Sequence, residues 1–530
     1  MSLRFISALL LLAASAQAQA PARTPPRQMP GPAETPTLIV FITIEQFRGD
    51  YLDRFAGEFT GGLGRLIEGG AVFARAVHDH ALTESAPGLA STMSGRFPRG
   101  TGIFRNEGAV LDPQAPLLEA PGPGASPFRF RGSTLIDWLR AKDPRSRALS
   151  VSAGDHGAIL PVGRQPQDVY WYTPNGSFTT STYYRDTLPT WVRQFNARRL
   201  PQGMAGEEWS PLRRDSQYPE PDSMPAENGG RDYTFPHSLP RNQAQAAQAF
   251  PGFPWMDQHT LRFAITGLRS LRLGIGPQTD VLSVSLSTTE VIGRQYGPDS
   301  RELHDQVLRL DRALGEFLDT LVTMRDPSRL VVALTSDHGV APFPEVQVAM
   351  ERGEAGRVDA TEIIEWYRHS LREARLDSTG FQFENGLLLA DRAAFARAGV
   401  KADSTIRSFA SEMRRVPGVL RVDAPATLAR DGARNTVARR WAQSLPPDAP
   451  VELAITLKPY HVWGNTRFAV SGSPHDYDVQ VPVILYGVPF KPGRYEQPIR
   501  VVDVAPTLAW ISAVRPVERL DGGILWSALR

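Results

Sequence analysis

The chain has 530 residues, 42% hydrophobic and 22% charged, the proportions of a protein that builds a core rather than of a disordered one. At that length the expectation is one large domain with inserted subdomains, or two to three domains. Lysine plus arginine number 58 against 56 acidic residues, so the formal charge of +2 singles out no nucleic-acid or acidic-membrane partner. The absence of cysteine excludes disulfides, thiolate metal sites, a cysteine nucleophile and a lipidated N-terminal cysteine.

Met1 to Arg4 starts with positive charge, Phe5 to Ala14 is an apolar run, and Ala16-Gln17-Ala18 supplies an A-x-A cleavage site, with Ala18-Gln19-Ala20 as a second. This pattern predicts a secretory signal over 1–18, too short to span a membrane, and an exported protein, periplasmic or secreted. A Pro/Ala-rich stretch over 19–36 reads as an extended linker, and 37–530 as the folded domain. Thr37 to Ile44 is an apolar, β-branched run, as expected of a strand buried on both faces. Ser85, ahead of Ala86-Pro87, opens a helix. The interval 161–254 is rich in Trp, Tyr, Pro and Asn and reads as an inserted, loop-rich cap. Its aromatic residues, including Trp171, Tyr172, Tyr183 and Tyr184, serve either packing or recognition. Asp280 to Leu286 and Leu330 to Thr335 repeat the buried-strand pattern. Between them, Leu303, Val307, Leu310, Leu314, Leu318 and Leu321 recur at helical spacing across Arg301 to Met324. The interval 351–459 reads as a second insertion, an α+β subdomain with a short strand over Gly386 to Leu389, and Val481 to Tyr486 as a fourth buried strand. Strands alternating with helices predict an α/β fold, a mostly parallel central sheet with helices on both faces.

Acidic residues or His follow three of these strands: Glu45, then Glu290, then Asp337 with His338. Ligands in open parallel sheets bind beyond the carboxyl ends of the strands, so the coincidence marks a site. Asp337-His338-Gly339 supplies two metal ligands from one turn, or else a polar turn with a solvated His. Ser85 is a nucleophile at a positive helix end, or else a plain capping residue.

The order strand, acidic residue, Ser-Ala-Pro-Gly, strand, acidic residue, Ser-Asp-His-Gly resembles the alkaline phosphatase superfamily. Within it, Glu45-Gln46-Phe47-Arg48-Gly49-Asp50, Gly157-Ala158-Ile159-Leu160-Pro161, Ser181-Thr182-Tyr183-Tyr184, Tyr296-Gly297-Pro298, Asp476-Tyr477-Asp478 and Val502-Asp503-Val504-Ala505-Pro506 are similar to the phosphate-irrepressible periplasmic group. The resemblance runs from about Pro36 to the C-terminus. It implies a two-zinc clamp on an in-line phosphoryl transfer to a Ser or Thr nucleophile. Carried over, the nucleophile is Ser85, and one metal site comprises Glu45 (Asp in the family), Ser85, Asp337 and His338. The second site departs at every ligand, reading Glu290, Arg294 and Ser471 in place of Asp, His and His. An arginine does not ligate metal, but its guanidinium suits bidentate phosphate contact. His475, four residues past Ser471, could replace a lost ligand through a loop shift. Asn106 matches a phosphate-contacting Asn, with a turn Asn as the alternative. Gly154 and His156 stand where the group has a Lys and an Arg. The expected function is an exported phosphate-ester hydrolase that transfers phosphoryl to Ser85 at a site keeping one zinc ion, or none, with Asn106 and Arg294 on phosphate oxygens. Two alternatives stand beside it: an inactive pseudo-phosphatase acting as a binding protein, and a phosphodiesterase or sulfatase-like hydrolase. The expected partner is a small phosphorylated or sulfated ester, not nucleic acid.

Overall fold

The computed structural model describes residues 34–376, 380–464 and 466–530. The expected secretory signal and most of the linker lie outside the described residues. The central sheet has ten strands: β1 (Leu38–Ile44), β2 (Ala71–Val77), β3 (Ala148–Ser152), β4 (Asp168–Thr173), β5 (Ser177–Thr179), β6 (Asp280–Leu286), β7 (Leu330–Thr335), β8 (Gln480–Tyr486), β9 (Gly493–Arg494) and β10 (Ile499–Arg500). Their order is β9-β2-β8-β7-β1-β6-β3-β4-β5, with β10 also on β2. The run β7-β1-β6-β3-β4 is parallel, while β8 runs antiparallel to both its neighbours and β5 antiparallel to β4.

The apolar runs have a direct structural cause. In β1, Leu38, Val40, Ile42 and Ile44 join one core, and Ile39 and Phe41 join the other, on the opposite face. A strand covered on both faces has no polar side to present, so its sequence loses the alternation of a half-exposed strand. The helices that matter for the site are α1 (Ser85–Thr92), α2 (Asp155–Ile159), α3 (Trp255–Ser270), α4 (Thr288–Tyr296) and α5 (Arg301–Met324). All six of the periodic residues of α5 lie in the first core, and Ser300 caps the helix by accepting a hydrogen bond from Leu303 N at 3.1 Å.

Asp311 of α5, buried, ties this helix to the helix Gly62–Gly69. Its carboxylate accepts from Thr60 N, Gly61 N and Leu63 N at 2.8, 2.6 and 2.7 Å. Asp311→Ala would leave these amides without their acceptor, at a cost of about 3 kcal/mol. Urea unfolding of the variant is expected to show a lower midpoint and an unfolding free energy smaller by that amount, and an unchanged midpoint would refute the assignment.

The interval 161–254 departs from the expectation of a loop-rich cap in its first part. β4 and β5 extend the central sheet, and Trp171 and Tyr172 point into opposite cores. The density of aromatic residues there reflects sheet packing. The interval 351–459 holds a four-stranded antiparallel sheet in the order Phe381–Glu384, Leu387–Ala390, Val451–Leu457, Val419–Asp423, with a core of its own around Phe381, Phe395 and Phe409.

Candidate active site

Parallel pairing in register levels the carboxyl ends of the central strands. Ile44 pairs with Leu286 and Thr43 with both Ser285 and Thr335, so the residues after β1, β6 and β7 emerge side by side. Glu45 N donates to Leu286 O at 3.0 Å. Gln46 then adopts φ +62°, a left-handed conformation uncommon for a non-glycine residue. This turn points Gln46 N at Asp337 Oδ1 (2.8 Å) and Phe47 N at Ser336 Oγ (2.8 Å). His338 N donates to the same Asp337 Oδ1 at 2.9 Å. Asp337 Oδ2, also buried, lies 3.5 Å from His338 Nε2 and has no hydrogen-bond partner among the described residues. His338 Nδ1 donates to Gly339 O at 2.7 Å, which leaves the lone pair of the neutral ring on Nε2.

Ser85 is the first residue of α1, with Glu84 as its extended N-cap. Its Oγ lies 3.2 Å from His338 Nε2 and 3.4 Å from Glu290 Oε1. α1 approaches this turn closely: a Cβ at Gly88 would lie 2.1 Å from Asp337 O, so only glycine fits. Asn106 Oδ1 accepts from Ala86 N at 2.7 Å, and Asn106 N donates to Glu84 Oε2 at 2.6 Å, a reciprocal clamp on the turn that carries Ser85. Glu290 lies in the first turn of α4, and Arg294 one turn later brings its Nη1 to 3.8 Å from Glu290 Oε1 while its side chain remains half exposed.

Glu45 is buried, with Oε1 accepting from Ser285 Oγ at 2.6 Å and from Ser152 Oγ at 3.4 Å. A Cβ at Gly157 would come within 2.6 Å of that oxygen, so the first glycine of the Gly-Ala-Ile-Leu motif makes room for the longer side chain. Burial pushes the Glu45 carboxyl well above the usual carboxylate range, and the Asp337 and Glu290 charges push it further. Burial lowers the His338 imidazole, but the Asp337 and Glu290 charges outweigh it and the net shift is upward.

Among the described residues, no three His, Asp or Glu side chains are close enough to hold an ion together. What converges is narrower than the expected four-residue set: Asp337 Oδ2, His338 Nε2 and the Ser85 hydroxyl, with Glu45 engaged by Ser285 beside them. Ser471 lies in the wall of a neighbouring cavity. His475 directs Nε2 to Leu457 O at 2.9 Å, which commits that nitrogen to the backbone. Gly154 and His156 flank the start of α2, and no lysine or arginine stands in their place.

Several residues were missed by motif reading. Gln46 supplies a backbone donor to Asp337, Ser285 supports Glu45, and Asn385 Nδ2 donates to Glu84 Oε1 at 2.7 Å from the inserted subdomain. Ser285 left a trace, a hydroxyl near the end of an otherwise apolar strand. Asn385 left none, since 301 positions separate it from its partner.

The family model described as type I phosphodiesterase / nucleotide pyrophosphatase matches residues 39–353. The chain belongs to this family, within the alkaline phosphatase superfamily. Like other members it is a phosphoester hydrolase by descent. It is 29% identical over 547 residues to alkaline phosphatase PhoV of Synechococcus elongatus, spanning 98% of this chain and 97% of that protein. It is 30% identical over 537 residues to alkaline phosphatase PhoK of a Sphingomonas species, spanning 93% and 91%. The crystal structure of wild-type alkaline phosphatase PafA matches with a TM-score of 0.87 at 24% identity, over 94% of this chain and 100% of that one, a likeness of fold. Among the described residues no helix is long and apolar enough to cross a membrane.

Proposed function

We propose that the protein is an exported phosphate-ester hydrolase that transfers the phosphoryl group to Ser85 at a site built for one metal ion. The observation that carries this reading is the position of Ser85 Oγ, at the N-terminus of α1 and between His338 Nε2 and Glu290 Oε1. A phosphoryl group seated there meets the positive end of a helix. Glu290 Oε1 is placed to take the hydroxyl proton as Oγ attacks. The Oγ–P bond forms, the ester P–O bond breaks, and the proton taken by Glu290 passes through solvent to the departing alkoxide, which leaves as the alcohol. Water then cleaves the phosphoserine and releases phosphate.

Charge supports a cation at this site. Asp337 and Glu290 both act on Glu45 and on the His338 imidazole, and a phosphate dianion would be repelled from these two carboxylates unless a cation intervened. Asp337, His338 and Ser85 would hold the ion, with Glu45 beside them, and the unpartnered Asp337 Oδ2 is the oxygen that fits a ligand role. When bound, the ion supplies Lewis-acid activation of the hydroxyl and neutralisation of phosphoryl oxygens. Zinc suits a carboxylate, imidazole and hydroxyl donor set. For a second ion the donors are wrong, because Arg294 presents a guanidinium and pairs with Glu290. That guanidinium is the fixed cation that meets phosphate oxygens, and Asn106, whose Oδ1 is held by Ala86 N, would offer its amide N–H to the same anion.

Phosphate release from 4-nitrophenyl phosphate by the zinc-loaded mature chain tests the proposal, and absence of release above the level of Ser85→Ala would sink it. Arg294→Ala is expected to raise KM for the ester and the inhibition constant of inorganic phosphate about tenfold or more, and Arg294→Lys to restore little of either, because a point charge lacks the planar fork. Unchanged phosphate inhibition in Arg294→Ala would remove the guanidinium from the site.

A further inference from the structure

Between the loop 471–478 and the strands Val451–Leu457 and His461–Trp463 lies a cavity of about 240 Å³. Trp441, Trp463 and Tyr477 give it aromatic walls. It is bonded to the nucleophile turn at three points. Gly472 N donates to Thr83 Oγ1 at 3.1 Å, Thr83 Oγ1 donates to Ser473 O at 2.9 Å, and Asn385, another wall residue, donates to Glu84. Thr83 and Glu84 directly precede Ser85, so the wall of the cavity is tied to the turn that carries the attacking residue.

Size and polarity define what the cavity takes. An apolar cavity of about 150 Å³ admits benzene, and pockets that enclose a whole ligand start near 300 Å³. The space therefore suits a moiety of one or two rings. Among the described residues no lysine or arginine lines it, so the phosphate itself does not belong there. The acidic group in its wall is Asp478, a buried residue whose Oδ2 accepts from Ser473 N at 2.9 Å and Ser473 Oγ at 2.5 Å. Asp478 Oδ1 is buried and has no hydrogen-bond partner among the described residues. Such an oxygen is costly to bury and is relieved by an incoming N–H or O–H.

We infer that this cavity receives the alcohol side of the ester: a neutral or cationic aromatic group of one or two rings that carries an N–H or O–H donor for Asp478. The inference rests on the hydrolase reading above and assigns its substrate class. Indole and benzothiophene share a two-ring shape and differ in the N–H donor, so they separate packing from hydrogen bonding. Calorimetry on the mature chain is expected to show indole binding at least about tenfold tighter than benzothiophene. Trp463→Ala, at a partly exposed position, is expected to weaken indole about tenfold, and Asp478→Asn to bring the two ligands close together. Indole is also expected to compete with hydrolysis of 1-naphthyl phosphate. Equal affinity for the two rings, or no indole binding, overturns the inference while measured phosphate release leaves the hydrolase reading standing. Indole binding that Trp463→Ala weakens, without any phosphate release, supports the cavity as a ligand site and defeats the hydrolase reading instead.

Discussion

Asp337→Asn is expected to strip bound zinc from the protein and to lower phosphate-ester turnover by about a thousandfold or more. The reasoning is local. Asp337 Oδ1 accepts from Gln46 N and His338 N, and an amide carbonyl can still accept from both, so the turn should survive. Oδ2 is different. It is buried, lies 3.5 Å from His338 Nε2 and carries the charge that an ion would compensate. Putting an NH2 group there removes the charge and turns a donor toward the metal position. Losing a bound ion removes several kcal/mol of transition-state stabilisation, and each 1.36 kcal/mol is tenfold in rate. Elemental mass spectrometry after zinc exposure and desalting is the check. One zinc per chain in the native protein and none in the variant supports the single-ion site. Retained zinc with native turnover refutes it. A native protein that binds no zinc and releases no phosphate would be the binding protein that the same degenerate motifs allow.

Ser85→Ala is expected to lower turnover by about 10³-fold to 10⁶-fold while leaving the fold intact. The hydroxyl caps no backbone group in α1, so its removal costs little stability, and its two neighbours, His338 Nε2 and Glu290 Oε1, belong to the chemistry. Mass spectrometry of acid-quenched protein provides an independent readout, because the native chain should carry a phosphoryl group on Ser85 and the variant should carry none. Turnover that persists in Ser85→Ala without labelling would mean direct attack by water on the ester.

Much of this architecture is legible in one dimension because its causes are local. β1, β6 and β7 read as buried strands because both of their faces are covered, and α5 reads over its whole length because its buried residues recur every three or four positions and Ser300 caps it. The acidic residues and His at three strand ends mark the edge at which Ser85, Glu290 and His338 meet, and Arg294 stands where the resemblance implies a His. Other features depend on partners hundreds of positions away. The sequence shows β1 as a strand but not that β6 and β7 flank it. Nor does it show that the extra methylene of Glu45 is absorbed by Ser285 and by the space above Gly157, or that Asn385 of an inserted subdomain reaches Glu84. It places Trp171 and Tyr172 in a cap, whereas pairing of β4 with β3 draws both into the cores. Composition, periodicity and motif order thus determine the fold class and the residues with chemical potential. Which of them meet, and that Asp337, His338 and Ser85 converge while His475 commits its Nε2 to Leu457 O, is decided by long-range strand register and packing, since these contacts exist only once the faces of the sheet are buried together.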